Sequence, residues 1–85
     1  MNLSGRSRLD VYFEVLEAIN NGIHIPSLIT YEANVSWNVG SNVFDTLIRS
    51  GCIKEEIDRN YVRYYLTIKG RNALAYYLKA LESLV

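Results

Sequence analysis

Asn38, Ser41 and Asn42 crowd into the stretch Ser36-Trp37-Asn38-Val39-Gly40-Ser41-Asn42. Amide and hydroxyl side chains suit base edges: an Asn amide matches the acceptor–donor pair of adenine, and Ser serves either groove partner. Trp37 stands beside them, either facing a sugar or thymine methyl or stapled against the preceding helix. Ser36 opens the stretch and joins this set. Arg59 and Arg63 are placed for phosphate or minor-groove contact. Their alternative is pairing with Asp58 or Glu56, where an exposed ion pair contributes at most ~1 kcal/mol. Arg6 and Arg8 near the start, and Lys69 further on, are further candidates for the nucleic-acid backbone. Arg49 is suited either to that role or to the negative end of a helix. Tyr61 and Tyr65 alternate with Arg63, a mixture that either stacks on single-stranded bases or packs across strands.

Other chemistry finds little material. There is one histidine, His24, and one cysteine, Cys52, so a His/Cys metal site is not expected. No phosphate-binding loop or placed acid pair occurs. No catalytic residue, metal, cofactor or small-molecule ligand is expected, and the chain reads as a non-enzyme. A single cysteine excludes an internal disulfide and fits a reducing cytoplasm. Cys52 is read as a buried strand thiol, with an intersubunit bridge or a redox switch as the other reading. Residues 1–8 lack the apolar core of a signal peptide, and no apolar run nears the about 20 residues of a membrane span. Nine basic residues balance nine acidic ones. Nucleic-acid affinity rests heavily on phosphate contacts, so a binder of this composition must segregate its charges to one face.

The elements that would hold these residues are legible from periodicity. Residues 1–7 read as a flexible polar arm. A first helix is expected from about Ser7 to Asn21, capped by Ser7, with Leu9, Tyr12, Phe13, Leu16 and Ile19 as its buried stripe and Val11 and Val15 as a second line. Asn20-Asn21-Gly22 ends it. Ile23-His24-Ile25 alternates like a short edge strand. Pro26 opens a second helix that carries Leu28 and Ile29 inward and ends near Glu32 or Ala33. Ser36 caps a third helix whose core face is Val39, Val43, Phe44, Leu47 and Ile48, with Trp37, Asn38, Ser41, Asn42 and Asp45 opposite. Gly40 suggests close approach of another backbone or a ligand. Gly51 ends the helix. Strands over about Cys52–Asp58 and Tyr61–Leu66 follow, joined at Arg59-Asn60, with Ile53 and Ile57 inward and Val62, Tyr64 and Leu66 sharing a face. Thr67 caps a final helix with apolar positions at Leu74, Tyr77, Leu78, Leu81 and Val85.

A helix that runs directly into a hairpin, over residues 34–70, predicts an α+β fold: a winged helix-turn-helix with a three-helix core and a β-hairpin wing, over residues 8–70. The last helix, residues 68–85, has more apolar surface than such a core needs. Two readings are open. In the preferred one it pairs two copies into a homodimer through Leu74, Tyr77, Leu78, Leu81 and Val85. In the other it folds back on the first helix and covers Val11 and Val15.

Three segments carry a resemblance: Tyr31-Glu32-Ala33-Asn34-Val35-Ser36, Leu47-Ile48-Arg49-Ser50-Gly51-Cys52-Ile53, and Tyr64-Tyr65-Leu66-Thr67-Ile68-Lys69-Gly70. With them the chain resembles, from about Leu9 to Leu84, a small archaeal winged-helix family of dimeric chromatin-associated proteins and cellular or viral transcription regulators. The third segment is the most specific. The resemblance implies double-stranded DNA as partner, binding as a dimer, and a role for Lys69, while the lack of a long apolar run speaks against a membrane partner. The chain departs from the family at Glu32, at Asp45, and at the acidic strand residues Glu55, Glu56 and Asp58. A winged-helix protein-interaction module without DNA binding is the alternative reading.

Overall fold

In the computed structural model, which describes residues 6–84, the elements are α1 (Arg8–Asn20), α2 (Pro26–Ala33), α3 (Trp37–Arg49), β1 (Ile53–Asp58), β2 (Tyr61–Leu66) and α4 (Ile68–Glu82). The strands form one antiparallel hairpin, pairing Ile53 with Leu66 at the base and Asp58 with Tyr61 at the tip. Arg59 and Asn60 both adopt left-handed backbone, at φ 51° and 73°, as a tight two-residue hairpin turn requires. No helix among the described residues is long and apolar enough to cross a membrane.

Each helix starts where its capping residue directs. Ser7 and Asp10 close a reciprocal capping box on α1: each side chain accepts the other's backbone N–H at 3.0 Å. Pro26 occupies the first turn of α2, where its missing N–H costs nothing. Ser36 Oγ accepts the Val39 N–H of α3, and Thr67 Oγ accepts the Gly70 N–H of α4. Asn34, at φ 57°, ends α2 and turns the chain into α3. A Cβ at Gly40 would overlap the Thr30 side chain of α2. The close approach expected there is therefore helix on helix.

The core joins Val11, Val15, Leu16 and Ile19 of α1 to Ile29, Val43, Phe44, Leu47, Ile53, Tyr64, Leu66 and Leu74. Its centre on α1 is the line expected to be secondary, with Val15 fully buried, while Leu9 is exposed. The reason is that α1 touches α2, α3, α4 and β2, so a narrow stripe cannot serve it. Three further expectations are corrected. Leu28 is exposed, because Ile29, Thr30 and Ala33 make up the inward face of α2. Ile57 shares a face with Ile53 but is 68% exposed, because the hairpin outruns the core at its tip. Residues 23–25 form no strand: the His24 carbonyl accepts the Tyr64 N–H at 2.9 Å, and His24 Nδ1 meets the Tyr64 carbonyl at the same distance. The imidazole takes the place of a second ladder bond, since the chain enters α2 at Pro26.

Helix α4 folds back on α1. Leu74 is 3% exposed, Leu78 packs against the core, and the Tyr77 ring stacks on Phe13 at 4.1 Å. The Tyr77 hydroxyl donates to Asp10 Oδ1 at 3.3 Å. The expected dimer seam is therefore corrected at Leu74, Tyr77 and Leu78, which are occupied within the chain. Leu81 is exposed, and Val85 lies outside the described residues. The apolar residues left outward by α4 and the turn after it are Ile68, Ala75, Tyr76, Ala80, Leu81 and Leu84.

Candidate nucleic-acid interface

The outer face of α3 follows from the burial of its inner one. Val43, Phe44 and Leu47 are fixed in the core, which turns Asn38, Asn42, Asp45 and Arg49 to solvent. Ser41 is half-buried and its hydroxyl donates to the Asn38 carbonyl at 3.2 Å. Thr46 Oγ1 donates likewise to the Asn42 carbonyl. These bonds use backbone acceptors, so neither Asn side-chain amide is engaged by them. Trp37 is 55% exposed, with its ring edge-on to Phe44 at 6.3 Å. It is thus both an anchor on the core and an outward face. Ser36 spends its hydroxyl on the helix cap.

Val39, expected in the core, instead lines an open cleft of about 440 Å³ with Val11, Val35 and Val43. The start of α1 stands off from α3 there, with Arg8 and Asn42 at the rim.

The cations divide into two groups. Arg6 bonds Glu14 at 2.7 Å and the carbonyls of Ala33 and Asn34 at 2.8 and 3.0 Å, which ties the start of α1 to the end of α2. Lys69 Nζ donates to the Ser50 carbonyl at 2.6 Å and so caps the end of α3. The Arg6 guanidinium and the Lys69 ammonium thus each tie a helix end within the fold, Lys69 while remaining exposed. Residues 1–5, the rest of the expected arm, lie outside the described residues. Arg8 Nε donates to the Tyr12 hydroxyl at 2.8 Å, and this bond lowers the Tyr12 pKa below its ordinary value. Arg59 and Arg63 belong to the second group. Among the described residues the two ion pairs are Arg6–Glu14 and Lys54–Glu56, so neither wing arginine is neutralised. Arg63 stands opposite Glu56 in the ladder, yet Glu56 pairs with Lys54 at 3.4 Å.

The segment over residues 64–70 has a structural explanation. The Thr67 N–H donates to the Cys52 carbonyl at 3.0 Å, and its hydroxyl donates to the Gly51 carbonyl. A Cβ at Gly70 would overlap the Cys52 carbonyl. Thr67, Lys69 and Gly70 thus lock the end of α3, the base of β1 and the start of α4 into one junction. The junction sets the angle between helix and wing.

Tyr64 sits where α3 meets the wing. Burial raises its pKa first, and the nearby carboxylates of Glu55 and Asp45 raise it further. On the outer hairpin face, Tyr65 stacks on His24 at 4.3 Å. Among the described residues no group of three or more His, Cys, Asp or Glu side chains is arranged to hold a metal ion.

Comparison with known proteins agrees with this architecture. The family described as winged helix-turn-helix matches residues 5–84. An uncharacterized protein of the archaeon Methanocaldococcus jannaschii is 38% identical over 66 residues, covering 78% of this chain. The chain spans only 64% of that relative's length. Among solved structures, Sso10a-2, a DNA-binding protein from Sulfolobus solfataricus, is similar at a TM-score of 0.74 and 20% identity, over 93% of this chain and 85% of that one. FabT of Streptococcus pneumoniae, solved in complex with DNA, is similar at a TM-score of 0.74 and 24% identity, over 98% of this chain and 63% of the other. At these identities the two structures speak to the fold alone.

Proposed function

The chain belongs to the winged helix-turn-helix family, and from that premise we propose that it is a DNA-binding transcription regulator. In this reading α3 enters the major groove and the wing lies on the adjacent backbone or minor groove. Asn38 and Asn42 read base edges, with Ser41 shaping the approach and Trp37 contacting a sugar or thymine methyl. Arg59 and Arg63 neutralise phosphates. Two copies join through the outer face of α4, centred on Tyr76, Ala80, Leu81 and Leu84, so that two recognition helices address two half-sites.

The observation that carries the reading is the condition of the outer face. The amides of Asn38 and Asn42 face solvent on one helix, and the arginines of the neighbouring wing are free of ion pairs among the described residues. Sso10a-2, a DNA-binding protein, and FabT, solved in complex with DNA, lend the reading support by likeness of fold. Fluorescence anisotropy with duplex pools tests it. The wild type should bind at low salt, and Asn38→Ala with Asn42→Ala should change the preferred bases while leaving the thermal unfolding midpoint within a few degrees. Absence of binding at low salt overturns it and leaves a protein-interaction module as the reading to pursue.

A further inference from the structure

The outer face of α3 holds a residue that DNA affinity alone does not explain. At 100° per residue, Asn38, Asn42, Asp45 and Arg49 fall within a wedge of about 60°. All four are exposed. Asp45 therefore belongs to the recognition face, at its margin and about 20° around the helix from Asn38. Neither ion pair among the described residues includes it, although Arg49 stands one helical turn away. Its charge reaches the junction with the wing, where it helps to raise the Tyr64 pKa. A carboxylate in this position repels phosphate and weakens binding to every duplex alike. A base contact that requires an acceptor supplies the compensating selectivity.

We propose that Asp45 is a specificity-determining residue that reads cytosine in the major groove. The inference rests on the DNA-binding reading above and deepens it. An ionised carboxylate only accepts hydrogen bonds. In the major groove the base donors are the exocyclic amines of cytosine and adenine. Adenine sets its N7 lone pair beside the amine, which suits an Asn amide and opposes a carboxylate. Cytosine offers its N4 amine without that neighbour. Guanine and thymine face the helix with acceptors, and the thymine methyl adds bulk. Asn38 and Asn42 on one side of the wedge and Asp45 on the other thus divide the readout: the amides take adenine and the carboxylate takes cytosine. The same charge weakens binding wherever no cytosine meets it.

Selection from a randomised duplex pool, followed by titration of single-base variants of the selected site, tests the assignment with the wild type, Asp45→Ala and Asp45→Asn. Asp45 is exposed, so both variants should keep the wild-type circular dichroism and unfolding midpoint. In the wild type one position should be fixed as cytosine, with other bases bound about tenfold more weakly, as a typical mismatch costs. In Asp45→Ala that position should become degenerate, positions read by Asn38 and Asn42 should keep their preference, and affinity for unrelated duplex should rise. Asp45→Asn, which introduces an N–H donor beside the acceptor, should lose the cytosine preference and gain tolerance of adenine. Wild-type binding with the same base profile in all three proteins overturns the role of Asp45 and leaves the DNA reading standing. Failure of the wild type to bind any duplex overturns both.

Discussion

The same residue types serve two ends in this chain, and neighbours decide which. Lys69 looks like a phosphate contact in the sequence, but its ammonium caps the Ser50 carbonyl at the end of α3. Arg6 is spent in the same way on the end of α2. Arg59 and Arg63 differ because they sit on the hairpin, Arg59 in its turn and Arg63 within β2 opposite Glu56, and neither ion pair among the described residues includes them. Two substitutions at the junction separate its parts. Gly70→Ala should destabilise by about 1–3 kcal/mol or more, since backbone must shift to admit the methyl group against Cys52. Lys69→Met should cost only about 1 kcal/mol, the worth of a surface hydrogen bond, and should leave duplex affinity nearly unchanged. Urea unfolding checks both values, and a large loss of affinity in Lys69→Met would return that residue to the interface.

The elements were the most legible level. Ser7, Pro26, Ser36 and Thr67 mark the four helix starts, the serines and the threonine as side-chain caps and Pro26 as the first helical residue. The hairpin and its turn were equally clear. Sidedness was less so. Leu9, Leu28, Val39 and Ile57 fit a periodic stripe yet face solvent, because periodicity gives an angle on a helix or strand and not how far a neighbour reaches along it. Helix α4 is the clearest case. Its stripe suits a partner helix in another copy as well as in its own chain, and the stack of Tyr77 on Phe13 decides for α1. That contact also links α4 to the cap of α1 through Asp10. The Ser7 backbone N–H is the main cause of the lowered Asp10 pKa, with the Ser7 hydroxyl next. A carboxylate with a depressed folded pKa contributes stability above its unfolded value of 3.8 and loses it as pH falls through the folded value. Acidification below about pH 4 should therefore loosen α1 against α4. Asp10→Asn should flatten this part of the pH profile, measured by thermal unfolding from pH 2 to pH 6.

At the scale of the molecule, charge and assembly become one question. With nine cations against nine anions and several cations spent internally, a single copy presents few to DNA. Pairing doubles them. The outward apolar residues of α4, Tyr76 at 77% and Leu84 at 81% exposure, are the surface on which that pairing is proposed. Tyr76→Glu with Leu84→Glu should leave the fold intact and give monomers by sedimentation equilibrium. Leu74→Ala, by contrast, should cost about 2–5 kcal/mol of stability, as expected for a truncated core leucine. The most direct test of DNA binding is the salt dependence of duplex affinity. Two wing arginines from each of two copies predict a log–log slope of about −4, at roughly −0.9 per phosphate. Arg59→Ala should make that slope shallower by about 2 in the dimer, one unit for each copy. Duplex affinity that is absent at low salt, or that does not change as salt rises, would contradict the account.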